Sequence, residues 1–187
     1  MRAAWLERRY GATVDWRPFD LHPEYPPDGI PRAVLLARYG GEFAAAVTRM
    51  IESAGLVHDP PPDRVPNSSR ALRLTELARD RGVHDALHHR LLTGYWSRRL
   101  DIGDPAVLVG EAAAVGIPDA DARAALDSGE LGARVEASTR SALRNGVSGV
   151  PAWSIDRRLV VPGAQPQEVF DTILRRLGHV PLPDPAQ

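Results

Sequence analysis

The chain has 187 residues with 23 basic and 24 acidic side chains, which gives a formal net charge of −1. This balance argues against nucleic-acid binding or polybasic membrane attachment, because both depend on an excess of positive charge. Apolar residues make up 43% of the chain, and no apolar run approaches the roughly 20 residues of a membrane span. Charges interrupt the N-terminal segment, so it lacks the pattern of a secretory signal and we expect a cytoplasmic protein.

Cysteine and lysine are both absent from the sequence, and all 23 basic residues are arginine. The lack of cysteine excludes disulfides, thiolate catalysis and cysteine-bound metals within these residues. The lack of lysine excludes Schiff-base chemistry and a phosphate-binding P-loop lysine. His84 and His88 are one helical turn apart, but no glutamate lies between them as in metalloproteases. We therefore expect a surface histidine cluster and no metal site.

The N-terminal region predicts a helix, a strand and a loop, in that order. Residues 1–9 have the pattern of the last turns of an amphipathic helix, and Gly11 would end it. Apolar and polar residues then alternate over Thr13–Phe19, which is the period of a β-strand. Four prolines and a glycine between residues 20 and 31 predict a loop.

Nearly all of residues 32–145 is predicted to be helical. Apolar side chains recur there at steps of three and four residues, which is the spacing of one helix face. Glycines and prolines separate the segments, and Asp104 followed by Pro105 is typical of a helix start. The predicted helices cover residues 33–39, 42–54, a segment capped by Asn67 or Ser68, 83–95, 106–115, 119–126 and 131–144.

The last third of the sequence changes character. A loop with several glycines leads to short strands at Ala152–Ile155 and Leu159–Val161, whose close spacing predicts a β-hairpin. A helix is predicted over residues 165–177, and the proline-rich residues 179–187 predict a loose tail. Together with the strand at Thr13–Phe19, this order of elements predicts an α/β fold with a large helical insertion.

Two segments near the C-terminus carry a resemblance to a known family. The runs Gly146–Asp156 and Val161–Pro166, with their Gly-Val-Pro and Gly-Ala-Gln-Pro motifs, resemble the DsbA-like thioredoxin-fold family. The similarity is closest to its FrnE-like branch, which is related to 2-hydroxychromene-2-carboxylate isomerases and kappa-class glutathione transferases. Similar segments also occur at Trp16–Pro23, Asn67–Leu74 and Leu100–Asp104, so the resemblance spans nearly the whole chain.

This resemblance implies a thioredoxin-like α/β domain interrupted by helices. Its thioredoxin-like parts would be residues 1–31 and 146–178, the helical insertion would be residues 32–145, and residues 179–187 would be the tail. Relatives begin with a strand and then a Cys-x-x-Cys or serine-containing turn, and this sequence matches neither. We therefore expect the sheet to lack its first strand, and the resemblance assigns no catalytic residue in this sequence.

The missing strand has a structural consequence. In relatives it lies between the strands that correspond to Thr13–Phe19 and Ala152–Ile155, so its absence would leave two sheet edges open. We expect that the start of the protein is assigned too late and that the missing segment is encoded upstream. A truncation whose gap is filled by another chain and a rearranged fold are the alternatives.

The resemblance also implies a substrate-binding loop. In this family the proline of the Val-Pro pair is usually cis, and the preceding residue is held extended at the rim of the site. By resemblance, Gly149, Val150 and Pro151 form this loop, which would pair with a substrate peptide or a thiol tripeptide. Asn67 matches a position near the thiol-ligand site of the isomerase relatives, and a plain helix cap is the alternative.

Two tryptophans complete the candidate site. Trp16 and Trp153 both lie on predicted strands near the loop that contains Val150. They would either wall an apolar substrate groove or pack in the core, and the sequence leaves both interpretations open.

Three functions are compatible with these features. The first is that of a DsbA/FrnE-like oxidoreductase-family protein, whose relatives exchange dithiols with peptide or protein disulfides, although this cysteine-free chain would be inactive. The second is an isomerase or transferase that uses glutathione or another low-molecular-weight thiol on a small-molecule thiol conjugate. The third is a non-catalytic peptide-binding module. We expect no other bound cofactor, no nucleic-acid or membrane partner, and leave a homodimer open.

Overall fold

A computed structural model describes residues 2–53 and 55–183 of the chain. Its helices are α1 (Arg2–Tyr10), α2 (Arg32–Ser53), α3 (Ser69–Asp80), α4 (His84–Ser97), α5 (Pro105–Ala113), α6 (Asp119–Leu126), α7 (Gly129–Arg144) and α8 (Gln167–Arg176). Its strands are β1 (Ile30–Pro31), β2 (Arg64–Val65), β3 (Ala152–Ile155) and β4 (Leu159–Pro162), which form the pairs β1–β2 and β3–β4. No described helix is long and apolar enough to cross a bilayer.

The chain folds into two compact units, each with its own apolar interior. The hairpin unit contains the residues up to Arg17 and those from Arg140 onward, and the helical unit contains Pro18–Thr139. These limits differ from the predicted divisions after residues 31 and 145. Two predicted segments end outside the described residues, namely the helix at Ala54 and the tail at residues 184–187.

Hydrogen bonds explain why residues 18–31 belong to the helical unit. The backbone N–H of Asp20 donates to Thr139 Oγ1 at 3.0 Å, and Asn67 Nδ2 donates to the carbonyl oxygen of Tyr25 at 2.7 Å. Strand β1 also pairs antiparallel with β2. The prolines correctly indicated a mostly irregular segment. The hydrogen bonds and the strand pairing could not be predicted from local sequence, because they join residues that are far apart in the chain.

The interior of the helical unit is built mainly by α3 to α7. In α3, Ala71, Leu74 and Ala78 follow the spacing of one helix face, and all three are buried. Asp104 caps α5 as predicted, because its Oδ1 accepts the backbone N–H of Ala106 at 2.7 Å. The buried apolar core consists of Ala71, Leu74, Ala78, Leu87, Leu91, Leu108, Val109, Ala112, Ile117, Ala122, Ala125, Leu126 and Leu131.

Helix α2 takes the place of the first two predicted helices. It runs through the predicted break but is non-helical at Gly40, where φ is 78° and ψ is 169°. Glycine suits this position because it adopts a positive φ without the steric cost that other residues incur. Ile51 is the one fully buried residue of α2, so most of this helix lies on the surface of its unit.

The hairpin unit contains β3, β4, α1 and α8. The antiparallel pairing places Trp153 opposite Val161, which confirms the predicted hairpin. Asp156 and Arg157 have φ values of 53° and 57°, a conformation that allows the chain to turn tightly between twisted strands. The buried apolar core consists of Leu6, Val161, Phe170 and Leu174.

The predicted strand at Thr13–Phe19 is wrong, because none of these residues is in a strand. Exposure still alternates along the segment, and Val14, Trp16 and Pro18 are less exposed than the residues between them. A strand also requires a ladder of backbone hydrogen bonds with a neighbour, and the described sheet that contains β3 has two strands only. Alternation thus predicted the inward face correctly but could not show whether a pairing strand is present.

The first residues of the predicted tail are attached to the hairpin unit. The N–H of Leu182 donates to the carbonyl oxygen of Arg9 at 2.7 Å, and Arg9 Nη1 donates to the carbonyl oxygen of Leu182 at 2.6 Å. His179 Nε2 lies 2.8 Å from Asp156 Oδ2. The prediction of a loose tail is therefore wrong for residues 179–183, because bonds to distant residues hold this irregular segment.

Candidate functional site

The loop over residues 146–151, which we call the Val150 loop, joins α7 to β3. The peptide bond between Val150 and Pro151 is cis. The N–H of Gly163 donates to the carbonyl oxygen of Pro151 at 2.8 Å and so fastens the loop to the end of β4. Gly163 had no predicted role of its own. Its position in the Gly-Ala-Gln-Pro motif was the available signal.

The backbone of Val150 is open to an external partner. Neither its N–H nor its carbonyl oxygen has a hydrogen-bond partner within residues 2–53 and 55–183. The residue is 54% exposed, so water reaches these groups in the absence of a ligand. Backbone polar groups are strong hydrogen-bonding groups, so a residue with a free N–H and C=O can pair with the backbone of an extended chain.

A shallow depression of about 210 Å³ lies beside this backbone. The Val150 loop lines it together with residues from both strands of the hairpin, including Val160 and Pro162. None of the described lining residues has an ionisable side chain, and the hydroxyl of Ser148 is their one polar side-chain group. The depression therefore offers apolar contact and backbone hydrogen bonds, but no acid, base or thiolate.

The two candidate tryptophans lie together in the hairpin unit. The ring centroids of Trp16 and Trp153 are 6.3 Å apart, with their planes tilted by 52°. Trp153 also packs edge-on against the buried ring of Phe170 at 5.2 Å. Its indole nitrogen is buried and has no hydrogen-bond partner in the described part of the chain. Trp153 thus packs against the core of its unit, one residue after the Ala152 that lines the depression.

Asn67 belongs to the helical unit, and both ends of its side-chain amide are engaged. Its Oδ1 accepts the N–H of Ser69 at 2.8 Å at the start of α3, while its Nδ2 donates to the carbonyl oxygen of Tyr25. A separate depression of about 230 Å³ adjoins it, which Arg70 and Asp101 also line. The amide therefore ties two segments of the protein together, and this geometry favours the helix-capping interpretation of Asn67.

The histidines of α4 form a ring stack. The centroids of His84 and His88 are 5.5 Å apart, with an angle of 15° between the planes. Burial, and next the neighbouring His84, lower the pKa of His88 to about 4. No group of three or more histidine, cysteine, aspartate or glutamate side chains suited to a metal ion occurs among the described residues.

A protein-family comparison identifies the class of this fold. The chain matches the DsbA-like thioredoxin domain over residues 2–175, which is nearly its whole length. The chain therefore belongs to the DsbA-like thioredoxin family. This match confirms the predicted α/β fold with its helical insertion, whereas the narrower placement in the FrnE-like branch stays a prediction.

Solved structures agree with this assignment. A probable DsbA oxidoreductase from Streptomyces coelicolor is 30% identical, with a TM-score of 0.77 over 90% of this chain and 77% of that one. A proposed protein disulfide isomerase from Nitrosomonas europaea is 18% identical and shares the fold, with a TM-score of 0.56 over 80% of this chain and 79% of that one. Among curated proteins, none matches this sequence.

Proposed function

We propose that this 187-residue chain acts as a peptide-binding module of the DsbA type. The Val150 loop binds an extended polypeptide, and these residues perform no dithiol–disulfide exchange of their own. The observation that carries this proposal is the Val150 backbone, whose N–H and carbonyl oxygen have no partner among the described residues, in a residue that lines an apolar depression.

The recognition would resemble the addition of a strand to a sheet edge. The backbone of one ligand residue accepts a hydrogen bond from the N–H of Val150 and donates one to its carbonyl oxygen. Neighbouring ligand side chains rest on Val160 and the rest of the apolar lining. This mode is tolerant of sequence because main-chain groups supply its hydrogen bonds, which suits a protein that meets unfolded or extended substrates.

The chemistry of the chain favours binding over turnover. None of the 187 residues is cysteine, so they supply no thiolate to attack a disulfide. The lining of the depression also lacks an ionisable side chain that could activate an external thiol. The thiol-dependent isomerase is less well supported, because the amide of Asn67 is already engaged by Ser69 and Tyr25.

The decisive experiment is an amide-resolved titration of ¹⁵N-labelled protein with a cysteine-free extended hexapeptide. We expect the Val150 amide to shift and its hydrogen exchange to slow. N-methylation of the ligand at every second position removes the donors on one edge only. We therefore expect one methylation pattern to weaken binding about fivefold, because it removes the N–H that donates to the Val150 carbonyl oxygen and a net contribution of about 1 kcal/mol. The other pattern leaves this donor in place and should have little effect.

Three results would contradict the proposal. The first is a Val150 amide that stays unmoved at millimolar peptide. The second is rapid reduction of insulin by the 187-residue protein in the presence of dithiothreitol, beyond the rate with dithiothreitol alone. The third is a response of the Val150 amide to glutathione but not to the peptide, which would favour the thiol-dependent isomerase instead.

A further inference from the structure

Helix α2 presents an unusually apolar face to solvent. Single exposed apolar side chains are common on proteins, but several along one helix mark an interaction surface. The large apolar side chains that α2 exposes are between 42% and 51% exposed. We call this surface the outer face of α2. Its large apolar members are Phe43 and Met50, which follow the non-helical Gly40, while Val34, Leu36 and Tyr39 are exposed on the part of α2 before it.

The second half of α2 has the spacing of a helix–helix contact. Phe43, Ala46 and Met50 follow one another at steps of three and four residues and are all exposed, so they form one stripe. Ile51 lies on a different side of the helix and is buried in the protein. The stripe is therefore not the face that α2 uses to pack on its own chain, and Ala46 at its middle leaves room for close approach of another helix.

Two opposite charges border this stripe in a specific arrangement. Glu42 and Arg49 are seven residues apart, so they lie on the same edge of the stripe, two helical turns from each other. Both are exposed, and neither forms an ion pair with another residue in the described ranges. Because they have opposite signs, the edge they form is complementary to itself when one copy is turned end to end.

We propose that the outer face of α2 binds a second copy of this chain, with the two α2 helices antiparallel. In that arrangement the apolar stripes face each other with Ala46 near the two-fold axis. Glu42 of each copy then meets Arg49 of the other, which gives two equivalent ion pairs. In a parallel pair this edge would face the opposite edge of the partner helix, so the two Glu42–Arg49 ion pairs could not form. The charges therefore select the antiparallel homodimer.

The experiment is a charge-reversal series followed by analytical ultracentrifugation over a wide concentration range. The wild-type chain should show a monomer–dimer equilibrium. Glu42→Arg and Arg49→Glu each turn two attractive pairs into two repulsive ones, so each alone should weaken dimerisation about tenfold. The double variant E42R/R49E restores both pairs and should dimerise like the wild type.

Mixing the two single variants gives the sharpest result. One copy then carries two positive charges on the edge and the other carries two negative charges, so only the mixed pair is complementary. We expect the equimolar mixture to form heterodimers at concentrations where each variant alone is monomeric. Binding of an unrelated partner would not produce this pattern, since the rescue requires both halves of the interface to come from this chain.

A substitution in the stripe provides a second test. Met50→Asp should abolish dimerisation, whereas Leu143→Asp, at an exposed leucine of α7, should leave it unchanged. Circular dichroism checks that both variants keep the wild-type helix content. A wild-type chain that is monomeric at every concentration, or a mixture of the single variants that fails to associate, would overturn the proposal.

Discussion

The two units of the molecule build their interiors in different ways. Among the described residues of the helical unit, thirteen buried apolar side chains form the core, and all come from the one continuous stretch between Ala71 and Leu131. Among the described residues of the hairpin unit, four buried side chains form the core and come from both ends of the chain, with Leu6 in one cluster with Phe170 and Leu174. The difference teaches that the unit with the candidate site depends on few side chains, each of which carries a larger share of the packing.

Phe170→Ala should produce the largest loss of stability and break the hairpin unit first. Phe170 is fully buried and supports Trp153. Removal of such a ring leaves a cavity and costs about 4 kcal/mol. Urea unfolding followed by tryptophan fluorescence would measure it. Val169→Ala is the matched control, since Val169 is the adjacent but exposed residue of α8, and a similar loss in both variants would argue against this small core.

Leu74→Ala tests the helical unit in the same way. Leu74 is fully buried at the centre of the larger core. We expect a loss of about 3 kcal/mol, smaller than for Phe170, because the removed side chain is smaller and more neighbours can relax around the cavity. Circular dichroism during urea unfolding reports it, with the exposed Leu92→Ala of α4 as control. If Leu74→Ala lost more unfolding free energy than Phe170→Ala, single side chains would carry the larger share of the packing in the helical unit instead.

Sequence patterns predicted the helical unit well and the hairpin unit in part. The predicted limits Asp119–Leu126 match α6 residue for residue, and Asp104 caps α5 as expected, because both depend on neighbours within one or two turns. The prediction of a strand at Thr13–Phe19 was wrong because a strand requires a neighbouring strand to pair with, and the segment's own sequence does not show whether one is present. The hydrogen bonds between Arg9 and Leu182 were missed for the same reason, because they join residues that are far apart in the sequence.

In the candidate site, too, some features could be predicted from the sequence and others depend on the fold. The resemblance selected the Val150–Pro151 segment, and the structure adds that the backbone of Val150 is unpaired within the described ranges. No sequence pattern could show that Gly163 anchors Pro151, because that bond links two loops through the fold of the hairpin. For Asn67 the sequence allowed either a ligand contact or a cap, and only the bonds to Ser69 and Tyr25 distinguish them.

The third prediction concerns pH and the helical unit. Burial and His84 lower the pKa of His88 from 6.5 to about 4, so the unfolded chain binds a proton more readily between these pH values. Stability should therefore fall as the pH drops from 6.5 towards 4, by up to about 1.4 kcal/mol per pH unit from this residue. Urea unfolding of wild-type protein and His88→Gln at several pH values would show a reduced slope in the variant.

Two controls make the pH prediction specific. His89→Gln removes the adjacent but exposed imidazole, and it should leave the slope of stability against pH at the wild-type value. The slope, rather than the absolute stability, is compared because His88→Gln also changes packing. Identical slopes for wild type and His88→Gln would mean that His88 titrates alike in the folded and unfolded chains, which would contradict the lowering of its pKa by burial.

The smallest expected effect is at the start of α5, where Asp104 caps the helix. Its Oδ1 accepts the N–H of Ala106, one of the backbone donors that a helix leaves without an internal partner. Asp104→Ala should cost about 1 kcal/mol in urea unfolding, whereas Asp104→Asn keeps the acceptor and should cost much less. If both variants lost the same stability, the carboxylate charge beside the helix N-terminus would outweigh the hydrogen bond. The pair thus separates local capping, which sequence can predict, from the long-range packing that distinguishes the two units.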